Sequence, residues 1–361
     1  MNLAANKGAA LRLATVGALA LLLGLALWHK GSQAGRTRHG SVERIKVHGA
    51  SLEGNLEGDS PDRDVSIYLP PSYKSALQKR YAVIYLLHGF TANDLTWFHD
   101  GADSLGLSEI ADRTFSNGHA QEMIVVAPNA FTRLQGSFYS NSVTTGNWED
   151  FIATDLVTFV DTHYRTLAKV ESRGIAGHSM GGYGAMRIAI KHPTVFSSVY
   201  ALNAISLGWP DFDRPLGSLT DAVLAVHSLQ DFEKASFLAR VSIAEAAAWS
   251  PNSRNPPLFL DLPVTQEGKA RVDIVTKWAV NLPVVQLDQF RGNLAKLHAI
   301  AFDAGDNDIP IVMSGEREFD SALSLQGIPH SYETYRGNHI NRLKERLATK
   351  VLPFFSMNLA F

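Results

Sequence analysis

Residues 173–192 read RGIAGHSMGGYGAMRIAIKH, and this stretch is the strongest single indication of the fold. It contains a G-x-S-x-G pattern, Gly177 to Gly181, directly after a short apolar β-type run and directly before a helical one. The flanking glycines permit a strained strand-to-helix turn that exposes the serine at the edge of a sheet, with a helix N-terminus behind it. We therefore predict that Ser179 is a nucleophile; the alternative is a glycine-rich turn with a capping serine.

Buried-strand patterns lie on both sides of this turn and alternate with helical ones. The predicted parallel strands are 81–87, 123–127, 173–176, 198–202, 299–302 and 332–335, and the predicted helices are 147–164, 177–192, 316–325 and one from about residue 340. Alternation of this kind implies an α/β fold with a mostly parallel central sheet and helices on both faces. Two runs that precede any helix, 42–49 and 65–69, predict antiparallel strands at the edge.

Residues 208–292 interrupt this alternation. They contain proline-rich patches and helix-like runs at 223–229 and 243–249. We predict that they form a cap or lid inserted into a domain that covers residues 41–361. Substrate choice in such folds usually depends on inserted loops, so the sequence does not identify the substrate.

The first forty residues have a different character. Lys7 and Arg12 precede an apolar run at 13–28, and a polar, basic stretch follows to residue 40. This is the layout of a secretory signal or a signal anchor. The run is shorter than the roughly 20 residues that span a bilayer, which favours a cleaved signal. The only small-x-small pattern nearby, which a cleavage site requires, ends at Ala34, so both alternatives remain open. We predict an extracytoplasmic protein, periplasmic or secreted, with residues 13–28 as its membrane-associating segment if they are retained.

Composition excludes several classes of function. The chain has 361 residues, 45% of them apolar and 19% charged, so it can bury a sizeable core. A net charge of −2 gives no electrostatic reason to expect a nucleic acid partner. The absence of cysteine excludes disulfides, thiolate metal sites and a cysteine nucleophile. Neither H-E-x-x-H nor an EF-hand loop occurs, so we predict no metal.

A serine nucleophile needs a general base and an acid that orients the base. In chain order these follow the serine as Asp or Glu and then His. The stretch 336–339, RGNH, follows a predicted strand and makes His339 the candidate base, the alternative being a capping or surface histidine. His178 is an unsuitable base because adjacent side chains on such a turn cannot readily form the required hydrogen bond.

The acid is less narrowly defined, because three aspartates follow the predicted strand 299–302. Asp303, Asp306 and Asp308 lie within six residues of each other. We favour Asp308 and place Asp306 second, because the remaining carboxylates can cap turns or the next helix.

Acyl transfer also needs N–H donors for the developing oxyanion. The usual donors are the amide after the nucleophile and one from the loop after the third strand. These are the backbone amides of Met180 and of Phe90 in the stretch 88–91, HGFT. The alternative for His88-Gly89 is an ordinary turn at the end of a strand.

At this point the motifs resemble an esterase branch of the α/β-hydrolases that includes S-formylglutathione hydrolases, feruloyl and acetyl-xylan esterases, and mycolyltransferases. The resemblance covers about residues 60–205 and 295–350, and it is carried by the stretches 87–90, 136–141, 146–151, 177–185, 305–308 and 337–339. It implies an α/β-hydrolase fold, no cofactor, a triad of Ser179, Asp308 and His339, and an oxyanion hole at Phe90 and Met180. Tyr139 and Trp148, within these stretches, are candidate substrate-binding residues.

The resemblance leaves three functions to weigh. The first is hydrolysis of a small-molecule or carbohydrate-linked carboxylic ester through an acyl-enzyme on Ser179. The second passes the acyl group to a sugar or alcohol, as mycolyltransferases do, and is favoured by the similar stretch 137–140, SFYS. The third is a non-catalytic binding protein on a hydrolase scaffold. No oligomeric state is predicted.

Overall fold

The computed structural model describes residues 39–98, 105–209 and 218–361. Gly40–Phe361 form one compact unit. The segment 13–28, predicted to be a signal or an anchor, lies outside the described residues. None of the helices in the described ranges combines the length and the apolar character that crossing a bilayer requires.

The centre of the described part is an eight-stranded sheet. Its strands are β1 Ser41–His48, β2 Asp62–Leu69, β3 Val83–Leu87, β4 Ile124–Pro128, β7 Arg173–His178, β8 Ser198–Leu202, β9 Ala299–Gly305 and β10 Ser331–Tyr335, and a separate hairpin consists of β5 Asn141–Ser142 and β6 Gly146–Asn147. The strand order in the sheet is β1-β2-β4-β3-β7-β8-β9-β10. Six neighbouring strands, from β4 to β10 in that order, run parallel, whereas β2 is antiparallel to both β1 and β4. The predicted mostly parallel α/β architecture is therefore confirmed.

The sheet is buried on both faces, which explains why its central strands are continuous apolar runs. Alternate residues of a strand point to opposite faces. In β3, Tyr85 and Leu87 pack into one core cluster, while Ile84 and Leu86 pack into the other. The helices outside the predicted cap are Leu95–Phe98, Leu107–Ser116, Trp148–Asp150, Val157–His163, Met180–Lys191, Pro310–Leu325, Leu343–Arg346 and Leu352–Asn358, with π-helical Phe151–Leu156 and Leu347–Val351 and short 3₁₀ turns Ala50–Leu52 and Val170–Ser172.

The region predicted to be a cap is helical in its described part, with helices Ser218–Leu224, Leu229–Lys234, Phe237–Trp249, Val272–Ala279, Pro283–Gln289 and Arg291–Leu294. The predicted helical run 223–229 is not continuous. One helix ends at Leu224 and the next begins after Ser228, whose side chain accepts a hydrogen bond from the Asp231 amide and caps it.

Two helices near the C-terminus begin at other residues than predicted. The helix expected at 316–325 begins at Pro310, because proline fits the first turn, where a backbone N–H has no intrahelical partner. The final helical segment begins at Leu343, not at about residue 340.

Candidate active site

Ser179 occupies the turn between β7 and the helix Met180–Lys191. Its backbone, with φ 58° and ψ −118°, is strained for a residue with a side chain. The two flanking glycines allow this turn. A Cβ on Gly181 would lie 2.1 Å from the Leu87 carbonyl oxygen, and a Cβ on Gly177 would lie 2.1 Å from the Gly181 carbonyl oxygen. Residues with side chains therefore cannot replace either glycine without moving the backbone.

Ser179, His339 and Asp308 form one line of hydrogen bonds. The Ser179 hydroxyl oxygen lies 2.9 Å from Nε2 of His339, and Nδ1 of His339 lies 2.8 Å from Oδ1 of Asp308. A carboxylate can only accept, so Nδ1–H donates to Asp308 and Nε2 is left to accept from the serine hydroxyl. The Asp308 side chain is completely buried, whereas that of His339 is 22% exposed and can face a substrate.

The other two candidate acids are engaged elsewhere. Oδ1 of Asp306 accepts the Gly337 amide at 3.0 Å and so ties the acid loop to the histidine loop. Asp303 is buried and accepts hydrogen bonds from Arg346 Nε at 2.9 Å and from the Tyr200 hydroxyl at 2.6 Å. Burial outweighs the attraction of Arg346 and raises the pKa of Asp303 to about 6. Among these three carboxylates, Asp308 alone is hydrogen-bonded to His339.

Asn203 supports the His339 loop and was missed from the sequence. It lies directly after β8, the strand next to β7, which leads to Ser179. Its Nδ2 donates to the backbone carbonyl of His339 at 3.3 Å, and its Oδ1 accepts the Gly305 amide at 3.0 Å. Asn203 has φ 44°, a left-handed conformation that asparagine tolerates better than most residues. The sequence signal for a polar residue at the sheet edge was an asparagine directly after the predicted strand 198–202, but it does not identify the partners of Asn203.

The two predicted oxyanion donors lie beside the serine. Met180 opens its helix, so its amide has no intrahelical acceptor. The Phe90 amide donates no hydrogen bond within the described part of the chain. Gly89 brings this loop close, since a Cβ there would lie 3.3 Å from Cβ of Ser179. Both amides are thus free to bind an oxygen, which is what the predicted role requires.

His88 fixes the shape of the Phe90 loop. The Ala130 amide donates to its Nε2 at 2.8 Å, so its Nδ1–H donates to the Gly89 carbonyl, also at 2.8 Å. The Tyr139 hydroxyl donates to the His88 carbonyl at 3.0 Å. Complete burial lowers the pKa of His88 to about 4, which keeps the ring neutral and this pattern intact near neutral pH.

Tyr139 and Trp148, the candidate substrate-binding residues, are both fully buried. Tyr139 packs against the nucleophile helix, where a Cβ on Gly184 would lie 2.5 Å from its ring. The Trp148 indole N–H donates to the Thr145 carbonyl at 2.8 Å. Their placement does not match the predicted substrate contact, because neither side chain presents surface to a ligand. They support the site from within the core.

One group of side chains has the spacing of a metal site. The ligand atoms of Glu149, Asp150 and His192 all lie within 4.8 Å of one another. However, the Glu149 carboxylate already pairs with Arg187 at 3.0 Å and with Lys191 at 2.6 Å. Burial acts to raise the pKa of Glu149, but His192 and these two cations lower it to about 2. The group is therefore better explained as a buried ion-pair network.

A nucleophile turn after a parallel strand, with a histidine and an acid on the loops after two later strands, defines the α/β-hydrolase class. The sequence matches the family described as “Putative esterase” over residues 60–349. The chain belongs to this esterase family.

Two curated relatives match parts of this chain. An esterase of Mycobacterium tuberculosis is 26% identical over 293 residues, which are 77% of this chain and 52% of the relative. An endo-1,4-beta-xylanase/feruloyl esterase of Xylanibacter ruminicola is 27% identical over 164 residues, 44% of this chain and 21% of the relative. The chain thus spans about half the length of the mycobacterial relative it matches.

Two solved structures share the fold. A ferulic acid esterase superposes with a TM-score of 0.64 at 21% identity, covering 90% of this chain and all of that one. An S-formylglutathione hydrolase from Staphylococcus aureus superposes with a TM-score of 0.57 at 16% identity, covering 88% of this chain and 99% of the other. At these identities the likeness establishes the α/β-hydrolase fold and nothing finer.

Proposed function

We propose that this chain is a serine carboxylester hydrolase that works through an acyl-enzyme on Ser179. The observation that carries the proposal is the continuous line of hydrogen bonds from Asp308 through His339 to Ser179. A serine hydroxyl is a weak nucleophile near neutral pH unless an adjacent base removes its proton, and His339 Nε2 is placed to do so.

The reaction follows from the position of each group. The Ser179 oxygen attacks the ester carbonyl carbon as its proton passes to His339 Nε2, and Asp308 stabilises the imidazolium that forms. The amides of Phe90 and Met180 bind the oxyanion. His339 then gives the proton to the departing alcohol as the C–O ester bond breaks. A water molecule repeats these steps and releases the carboxylic acid and the serine.

The substrate is proposed to be a small-molecule or carbohydrate-linked ester met outside the cytoplasm. The names of the feruloyl esterase relative and of the ferulic acid esterase neighbour favour this class. The apolar run 13–28 with its basic flank favours export.

Transfer of the acyl group to a sugar or alcohol was favoured by the stretch 137–140. In the structure Ser137 and Ser140 are buried, and both hydroxyls are engaged with nearby backbone. They therefore offer no contact to an acceptor molecule. The non-catalytic alternative is disfavoured because the three triad side chains are in hydrogen-bonding positions.

A panel of para-nitrophenyl esters, from acetyl to long-chain, tests the proposal. The purified protein should hydrolyse at least one of them, and Ser179→Ala should not, whereas Ser253→Ala, at an exposed serine, should behave as the wild type. A fluorophosphonate probe should label the wild type at Ser179. Ester turnover retained in Ser179→Ala would contradict the mechanism. Diversion of the acyl group to an added sugar would instead support the transferase.

A further inference from the structure

The helix Phe237–Trp249 connects two loops that flank Ser179. On one side, Nη1 of Arg240 donates to the Gln135 side-chain oxygen at 2.6 Å. On the other side, the Ser206 hydroxyl donates to Oε1 of Glu245 at 2.9 Å. The helix therefore extends from the loop around residue 135 to the loop around residue 206.

Both loops touch the nucleophile turn itself. A Cβ on Gly136, next to Gln135, would lie 2.6 Å from Sδ of Met180. The Ile205 amide, next to Ser206, donates to the Ser179 carbonyl oxygen at 3.4 Å. The helix is thus tied to the catalytic turn from two sides.

One face of this helix leads away from the oxyanion loop. Phe237, Val241 and Glu245 recur every four residues, so they share a face that is about 12 Å long. The Phe237 ring contacts the Phe90 ring edge-on, with centroids 5.7 Å apart, and the residue Phe237 is 48% exposed. The face therefore begins at the exposed Phe237 beside Phe90, continues through Val241, which is only 5% exposed, and ends at a carboxyl group.

Glu245, at the end of this face, is a nearly buried carboxyl group that is only partly hydrogen-bonded. The residue is only 8% exposed, and Oε1 is engaged with Ser206. Oε2 makes no hydrogen bond to the described residues, and it keeps a small accessible surface instead of being fully enclosed. No cation of the described part pairs with it, in contrast to Glu149 with its two cations. One carboxyl oxygen is consequently available to a ligand.

We propose that Glu245, held by Ser206, binds a hydroxyl group of the substrate. The preferred ester then carries an apolar portion along Phe237 and Val241 and a hydroxyl group near its far end. This inference rests on the proposed esterase function and deepens it by naming a substrate class. A nearly buried carboxyl oxygen selects strongly, since an analogue without the hydroxyl leaves that oxygen unpaired. The hydroxyl can belong to the acyl or to the alcohol portion.

Matched ester pairs test this inference. In the acyl arm, para-nitrophenyl esters of straight-chain acids from butanoyl to decanoyl are compared with their terminally hydroxylated counterparts. In the alcohol arm, acetates of straight-chain alcohols are compared with monoacetates of the corresponding diols. We expect the wild type to prefer the hydroxylated member about tenfold in kcat/KM at one length in one arm, and that arm identifies the portion bound.

The variants separate binding from folding, because a ratio within one preparation does not depend on the folded fraction. Glu245→Leu should bring the ratio to about one, and Ser206→Ala should lower it. Glu245→Gln should retain part of it, since the amide still forms hydrogen bonds. Glu233→Gln, at an exposed glutamate, is the control and should keep the wild-type ratio.

The outcomes that would overturn the inference are distinct. A wild type that hydrolyses these esters without preference at any length would exclude the hydroxyl site and leave the esterase proposal intact. A preference that persists in Glu245→Leu would exclude Glu245. A wild type that hydrolyses no ester would overturn both proposals.

Discussion

The imidazole of His178 donates its Nε2–H to the backbone carbonyl oxygen of His339 at 2.8 Å. The residue before Ser179 therefore holds the loop that carries His339. Burial, together with the neighbouring His339, lowers the pKa of His178 to about 3, so this ring stays neutral near neutral pH. The distance between Ser179 and His339 is consequently supported by a second contact between the same two segments.

The simplest prediction concerns the nucleophile. Ser179→Ala should reduce ester turnover by about 10⁴-fold or more, because it removes the hydroxyl that is hydrogen-bonded to Nε2 of His339. Its free energy of unfolding should change by only about 1 kcal/mol, since alanine has the same backbone restrictions and removes one hydroxyl. Steady-state kinetics and denaturant unfolding measure the two effects. Unfolding of the variant at room temperature would contradict this account of the turn.

The choice of acid is tested by a matched pair of substitutions. Asp308→Asn should lower kcat by about 10³- to 10⁴-fold, because an amide cannot stabilise the imidazolium or hold the same tautomer of His339. Asp306→Asn should cost less than about tenfold, because its side-chain oxygen can still accept the Gly337 amide. The reverse order of effects would assign the acid to Asp306.

Asn203 is expected to act by positioning His339. Asn203→Ala removes contacts to the His339 carbonyl and the Gly305 amide, so kcat should fall by about 10- to 100-fold, with little change in KM. The buried Gly305 amide loses its acceptor, which should cost about 1–3 kcal/mol of stability. Asn117→Ala, at an exposed site, is the control. A variant that loses stability but keeps the wild-type kcat would show a purely structural role.

Local sequence patterns predicted the features that depend on neighbouring residues. Continuous apolar runs predicted the parallel strands, because both faces of the sheet are covered. The glycines around Ser179 predicted the turn, because only glycine fits there. The order of the two loops that follow the predicted strands 299–302 and 332–335 predicted His339 as the base and three aspartates as candidate acids. The choice between Asp306 and Asp308 depends on which carboxylate reaches the ring, and the spacing of the residues leaves that open.

Features that depend on distant contacts were not predictable in the same way. Asn203 pairs with Gly305, 102 residues later, and no local pattern signals such a partner. Tyr139 and Trp148 lie in motif-rich loops, and their complete burial follows from the packing of those loops into one core cluster. The contact of Glu245 with Ser206 likewise joins the predicted cap to the loop after β8.

Glu245 should also make stability depend on pH. Burial raises the pKa of Glu245 from 4.5 to about 7, so the folded state binds this proton more tightly than the unfolded state does. The protonated carboxyl therefore contributes about 3 kcal/mol to the free energy of unfolding relative to the ionised one. This contribution is fully present below about pH 4.5 and is lost as the pH rises through 7. Glu245→Gln has no such titration. Its melting temperature should therefore exceed that of the wild type at pH 8, and the difference should shrink as the pH falls towards 5.

Thermal unfolding of both proteins across this range measures the effect, because all other titrating groups contribute nearly equally to both. Glu233→Gln, at an exposed carboxyl, should show no pH-dependent difference from the wild type. If the melting-temperature difference between Glu245→Gln and the wild type were constant from pH 5 to 8, the carboxyl would have to be solvated or paired with a cation in the folded protein. In that case Oε2 would not be free for a substrate hydroxyl.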